Sequence, residues 1–247
     1  MSEIRLDNLT LGYERRPAVH HLSGAFAAGA LHAVVGPNGS GKSTLLKGIA
    51  GLLSPLTGKV DLGALHRRDI AYLPQDNGVD QAFPITLSDL VALGLWNRRG
   101  LFGQITRADR DRVQAAFAAV GLEGFESRAV DQVSGGQLQR ALFARVLVQD
   151  AKLILLDEPF AALDERTTRD LMEVIRRWPA EGRTVIVVLH ELDLVRGLCP
   201  QTLLLAREAV AWGPTAEVLS EFNLDRANLA SEAWAEDAHA CHVEHAA

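Results

Sequence analysis

The sequence predicts an α/β fold built on a mainly parallel sheet, with an N-terminal antiparallel β subdomain and an inserted α-helical subdomain. Three observations carry that expectation. Short β-branched or leucine-rich runs alternate with helical stretches. Several of those runs are apolar without a break, as strands buried on both faces are. The span from about 80 to 150 holds mainly helices, whereas strands dominate its flanks. A chain of 247 residues, 48% of them hydrophobic, is long enough to bury such a core.

Along the chain, "IRLDNLTLGY" alternates apolar and polar residues, the pattern of a half-exposed antiparallel strand. "LHAVVG", "DIAYLP", "KLILLDE", "RTVIVVLH" and "QTLLLA" read as strands of the buried sheet. Helices are expected at "TLLKGIAGLL", from "TLSDLVALGLW", over "TRADRDRVQAAFAAVGL" and at "ALFARVLVQ". The third of these opens with Thr106 and Asp109 at N-cap-like spacing and ends near Gly121. From about 224 the chain turns acidic and alanine-rich, the character of an appended helix or a loose tail.

Composition narrows the function. Lys+Arg number 25 against 31 Asp+Glu, a net charge of −6, and no basic stripe runs along the chain; nucleic acid is not expected as a partner. Two cysteines, Cys199 and Cys241, make no disulfide framework, and the start has neither the charged nor the apolar region of a signal peptide, so a reducing cytoplasm is expected. The longest apolar runs fall well short of the roughly 20 residues that span a bilayer. A role at a membrane would require a separate spanning partner.

The strongest chemical signal is "GPNGSGKST": Gly36, Pro37, Asn38, Gly39, Ser40, Gly41, Lys42, Ser43 and Thr44. It satisfies G-x-x-x-x-G-K-[ST] between a strand and a helix, the context in which glycines let backbone amides curl around phosphates at a helix N-terminus. Lys42 would reach the β- and γ-phosphates, Ser43 would ligate Mg²⁺, and Thr44 would serve the α-phosphate side. The second signal is "LILLDEP", a buried strand that delivers Asp157 and Glu158 at its C-terminal end, where open α/β sheets bind ligands. Asp157 is expected to hold Mg²⁺ through its water shell and Glu158 to orient and polarise the attacking water. The third is "VSGGQLQR", in which Ser134, Gly135, Gly136 and Gln137 open a helix and form a second phosphate site, one that a single nucleotide in a single chain does not need.

From about residue 3 to 220 these motifs resemble the ATPase subunit of ABC transporters. The resemblance implies a P-loop NTPase core over residues 1–223 and a C-terminal helix or tail over 224–247. It implies ATP and Mg²⁺ as ligands, and a homodimer in which the SGGQ stretch of one subunit closes over ATP held by the other. By the same resemblance Tyr13 stacks on adenine, Gln75 in "YLPQD" reaches Mg²⁺ and the water, Asp164 in "AALD" lies in the loop joining the two sites, and His190 contacts the γ-phosphate. Val133 stands where the family usually has leucine, an apolar replacement, and Glu191 stands where aspartate is frequent; Glu191 is given no role.

Such a subunit would drive separate integral membrane permease subunits from the cytoplasmic face of the inner membrane, served by an extracytoplasmic solute-binding protein. "DQAFPITLSDLVALGLW" and "DEPFAALDERT" resemble the zinc and manganese importers of the family. Two other members are weighed: an iron–siderophore importer ATPase, which shares a "VALG"-like stretch but more often carries "EPT", and a nucleic-acid-associated ABC ATPase, which commonly has two ATPase halves or a long coiled coil. A P-loop small-molecule kinase would lack SGGQ. The "QAFPIT" stretch, with Phe83 and Pro84, follows the glutamine loop, where the family docks a permease helix.

The chain ends in "AHACHVEHAA". If that stretch were helical, His239, His242 and His245 would share one face with Cys241 near its edge, four donors of a kind that suits Zn²⁺. The spacing matches no standard structural zinc pattern, and a disordered terminus is the alternative.

Overall fold

A computed structural model describes residues 3–14, 16–75, 83–96 and 104–236. In chain order the elements are β1 (Ile4–Tyr13), β2 (Arg16–Phe26), β3 (Leu31–Val35), α1 (Lys42–Ile49), β4 (Thr57–Asp61), β5 (Ile70–Leu73), α2 (Leu87–Ala92), α3 (Arg107–Ala119), α4 (Gly135–Gln149), β6 (Leu153–Asp157), α5 (Glu165–Arg177), β7 (Thr184–Val188), α6 (Leu192–Leu198), β8 (Gln201–Ala206), β9 (Glu208–Pro214), α7 (Thr215–Val218) and α8 (Glu221–Glu236).

Two sheets organise them. β2, β1 and β4 form a three-stranded antiparallel sheet. The larger sheet has the order β5-β6-β7-β3-β8-β9, parallel throughout except for β9, which returns antiparallel along β8. Every residue of β3, β6 and β7 is buried. Because side chains alternate across a strand, that burial requires a layer on each face. One face sends Ala33, Val35, Ile154, Leu156, Val185 and Val187 into a core shared with α2, α3, α4, α5 and α6. The other sends Val34, Leu155, Ile186 and Val188 toward Leu45, Leu46 and Ile49 of α1 and toward the antiparallel sheet.

β1 departs from the simple alternation read in its sequence. Ile4 to Asp7 alternate buried and exposed, but Leu9, Thr10, Leu11 and Gly12 are all buried. The cause is a register shift against both neighbours at Asn8, which adopts a left-handed conformation (φ 46°) and donates its N–H to Ser23 Oγ at 3.0 Å. Past that bulge the strand is flanked in the sheet by β2 and β4 and packs against α1, Leu11 meeting Gly48.

α3 begins as its sequence predicts. Thr106 Oγ1 accepts the Asp109 N–H at 3.3 Å while Asp109 Oδ2 accepts the Thr106 N–H at 2.9 Å, closing a capping box. It closes at Gly121, in the left-handed region (φ 64°). α4 starts in the same manner: Ser134 Oγ accepts from the Gln137 N–H and Gln137 Oε1 from the Ser134 N–H. The single described cysteine, Cys199, is buried, and burial pushes its thiol pKa up to about 12, so it packs as a neutral apolar group. Among the described residues, no helix is long and apolar enough to cross a membrane.

Candidate functional site

Parallel strands end in the same direction, so residues just past each C-terminal end collect along one edge of the sheet. Asp157 closes β6 and pairs in register with Val188, which in turn pairs with Val34. Glu158 follows Asp157, Gln75 lies two residues past β5, His190 two past β7, and the glycine-rich loop begins immediately after β3. A cleft of about 680 Å³ opens there, lined by residues 38–44 with Gln75, Glu158, His190 and Ala18 of β2. That volume is in the range of small-molecule sites.

The loop has the shape a phosphate cradle needs. A Cβ on Gly36 would stand 1.9 Å from the Leu205 carbonyl oxygen of β8, so only glycine allows β3 to turn there. Gly41 precedes α1 in the left-handed region (φ 97°), which aims the first helical amides into the cleft. Lys42 is buried, and its Nζ donates to the Gly36 and Pro37 carbonyls, each at 2.8 Å. Burial lowers its pKa, opposed by the charges of Glu158 and Asp157. The loop is also held from behind: Arg207, at the tip of the β8–β9 hairpin, donates its N–H to the Ser40 carbonyl at 3.0 Å and its guanidinium to the Pro17 carbonyl at 3.2 Å.

Ser43 and Asp157 meet directly, Ser43 Oγ donating to Asp157 Oδ1 at 3.1 Å, and the Tyr72 hydroxyl reaches Oδ2 at 3.4 Å. Burial raises the Asp157 pKa, partly offset by the Ser43 hydrogen bond, and burial likewise raises that of Tyr72. A buried carboxylate beside a hydroxyl, with the Gln75 amide on the same cleft, is a set of hard oxygen donors that fits Mg²⁺. Glu158 sits in the left-handed region (φ 49°); its N–H donates to the Val188 carbonyl and its Oε1 contacts His190 Nε2 at 2.5 Å.

The raised Asp157 pKa has a consequence for stability. A carboxyl whose folded pKa lies above its unfolded value destabilises the fold while ionised, and that penalty vanishes as pH falls through the folded pKa. Asp157→Asn is therefore expected to stabilise the ligand-free protein at pH 7–8 by on the order of 1 kcal/mol, or ~2–4 °C in a chain of this length. The gain should shrink as pH drops into the carboxylate range. Calorimetry across pH checks this, and a lower midpoint for the variant would contradict it.

The other residues singled out in the sequence lie elsewhere. Ser134 and Gly135 are exposed at the start of α4, outside the cleft of their own chain. Asp164 caps α5, accepting from the Thr167 N–H at 2.9 Å and the Thr167 hydroxyl at 2.7 Å, which hold its carboxyl below the usual range. Tyr13 ends β1 with its ring half exposed and does not line the cleft. His239, Cys241, His242 and His245 lie outside the described residues, as does most of the stretch before Phe83; Phe83 itself is exposed. The described residues include no cluster of three or more potential metal-ligating His, Cys, Asp or Glu side chains. Sequence reasoning missed Tyr72, Ala18 and Arg207. Tyr72 had been legible only as a strand residue, and nothing in "LLLAREAV" marks the turn that braces Ser40.

Comparison with known proteins agrees with this geometry. The ABC transporter family profile matches residues 19–161. The manganese transport system ATP-binding protein MntB of Bacillus subtilis is 36% identical over 230 residues, 92% of either chain. The zinc transport system ATP-binding protein TroB of Treponema pallidum is 36% identical over 91% of this chain and 86% of its own. Among solved structures, a dimeric ATP-binding cassette in a post-hydrolysis state with ADP and Pi superposes with a TM-score of 0.77 at 27% identity, over 86% of this chain and 98% of that one.

Proposed function

We propose that this chain, which belongs to the ABC transporter family, is the ATP-hydrolysing subunit of an importer for a divalent transition metal such as manganese or zinc. It works as a dimer with membrane permease subunits. The finer assignments are a peripheral position on the cytoplasmic face of the inner membrane and an extracytoplasmic binding protein that hands over the metal.

In the site, residues 36–44 hold the ATP phosphates through backbone amides, with Lys42 between the β- and γ-phosphates and Thr44 toward the α-phosphate. Ser43 and Gln75, with Asp157 through water, would hold Mg²⁺, which would neutralise phosphate charge. Glu158 orients the attacking water and accepts its proton; His190, already paired with Glu158, reaches the γ-phosphate. Tyr13 stacks on the adenine. One observation carries the dimeric reading: Ser134 and Gly135 are exposed and lie outside their own chain's cleft, so the SGGQ helix start is open to ATP bound by a second copy. Asp164 joins the two sites through the loop it ends. ATP that touches both chains only when they are closed favours closure, and hydrolysis removes that preference.

The tail donors His239, Cys241, His242 and His245 add a second reading, a Zn²⁺ site that would report the cargo to the motor. Zinc titration of intact and tail-deleted protein tests it, and equal stoichiometry ends it. The transport reading is tested in proteoliposomes containing the chain with its permease: ATP should drive Mn²⁺ or Zn²⁺ uptake, and hydrolysis without uptake of either ion would overturn the cargo assignment.

A further inference from the structure

We infer that Gln139 is a positioning residue: it ties the loop that begins at Glu158 to the SGGQ helix of the same chain, so that each half of the dimer transmits the state of one ATP site to the catalytic carboxylate of the other. This rests on the dimeric reading above. Gln139 lies two residues past the SGGQ stretch and is almost fully buried, unusual for an amide side chain. Its Nε2 donates at 3.3 Å to the carbonyl of Pro159, the residue next to Glu158.

The loop it grips is strained. Glu158 and Ala162 both adopt left-handed conformations, with φ of 49° and 60°, which non-glycine residues keep only when their surroundings enforce it. Beside the loop's own turn hydrogen bonds, Ala161 N–H to the Glu158 carbonyl and Leu163 N–H to the Phe160 carbonyl, three contacts from outside it supply that enforcement among the described residues. The Glu158 N–H is bound to Val188, Pro159 is bound by Gln139, and Gly136 lies so close to Ala162 that a Cβ there would stand 2.8 Å from the Ala162 carbonyl oxygen. Two of the three come from α4, whose first turn is the part offered to the partner's ATP. A shift of α4 when that ATP binds or leaves therefore moves Pro159 and Ala162 directly, and with them the carboxylate of Glu158. Distance in sequence hides the link, since Gln139 and Pro159 are 20 residues apart.

The test compares Gln139→Met and Gln139→Glu with the wild-type chain, measuring kcat, KM for ATP and the Hill coefficient of hydrolysis. Gln139→Met keeps length and volume but loses the donor; kcat should fall about 10-fold and the Hill coefficient approach one, with KM changed less than about twofold. Gln139→Glu places a carboxylate against a carbonyl oxygen at pH 8 and regains a donor when protonated, so its activity relative to wild type should rise as pH is lowered to 5.5. A merely structural amide would shift thermal stability without this pH-dependent rescue. Should the Met variant fail to fold, the Glu profile decides alone. Wild-type kcat and cooperativity in Gln139→Met, or a flat relative profile in Gln139→Glu, would overturn the inference. A wild-type chain with no ATPase activity would instead overturn the functional reading on which it rests.

Discussion

Glu158→Gln should lower ATP turnover by about 10²–10⁴-fold while leaving ATP binding intact. The site explains why the two effects separate. Glu158 borders the cleft at the end of β6 and faces His190, whereas the proposed phosphate cradle is a different segment, the loop from Gly36 to Thr44, of which residues 38–44 line the cleft. Glutamine keeps the size and the left-handed backbone but cannot accept a proton from water. The loss should therefore fall on kcat, with ATP affinity measured by fluorescence or calorimetry close to that of the wild type. Undiminished hydrolysis would remove Glu158 from the chemistry and shift attention to His190.

Lys42→Ala should have its large effect on the other parameter, weakening ATP binding by about 10²-fold or more. Among the described residues its ammonium is the one lysine or arginine cation that lines the cleft, and charge-assisted hydrogen bonds of that kind are worth roughly 1.5–3 kcal/mol each. The fold should survive the change. Burial already penalises the charged lysine, and Gly36 and Pro37, whose carbonyls it releases, are only partly buried, so water can replace it. A titration in which the variant binds ATP as tightly as the wild type would contradict the cradle.

Much of this architecture was legible because burial on both faces leaves a plain mark. β3, β6, β7 and β8 are nearly unbroken apolar runs, and the first three lead into residues whose chemistry is conspicuous: Gly36 after β3, Glu158 after β6 and, two places past β7, His190. β2 and β9 were harder to see. "RPAVHHLSGAF" and "EAVAWGP" mix polar, small and proline residues because each strand is only partly covered. Within the site, groups that act through local order, such as the loop from Gly36 to Thr44, could be read as a motif. Tyr72 on Asp157 and Gln139 on Pro159 could not, since they are made by tertiary adjacency between segments 85 and 20 residues apart. The bulge at Asn8 was likewise invisible, because nothing in the local pattern marks a left-handed residue that shifts the register against both neighbouring strands.

The central claim is that a working site is completed by the SGGQ helix of a second copy. Sedimentation of the Glu158→Gln chain with MgATP, alone and with Ser134→Arg added, tests it most directly. A dimer in the first case and a monomer in the second is the predicted result; a monomer in both, with ATP demonstrably bound, would contradict the shared site.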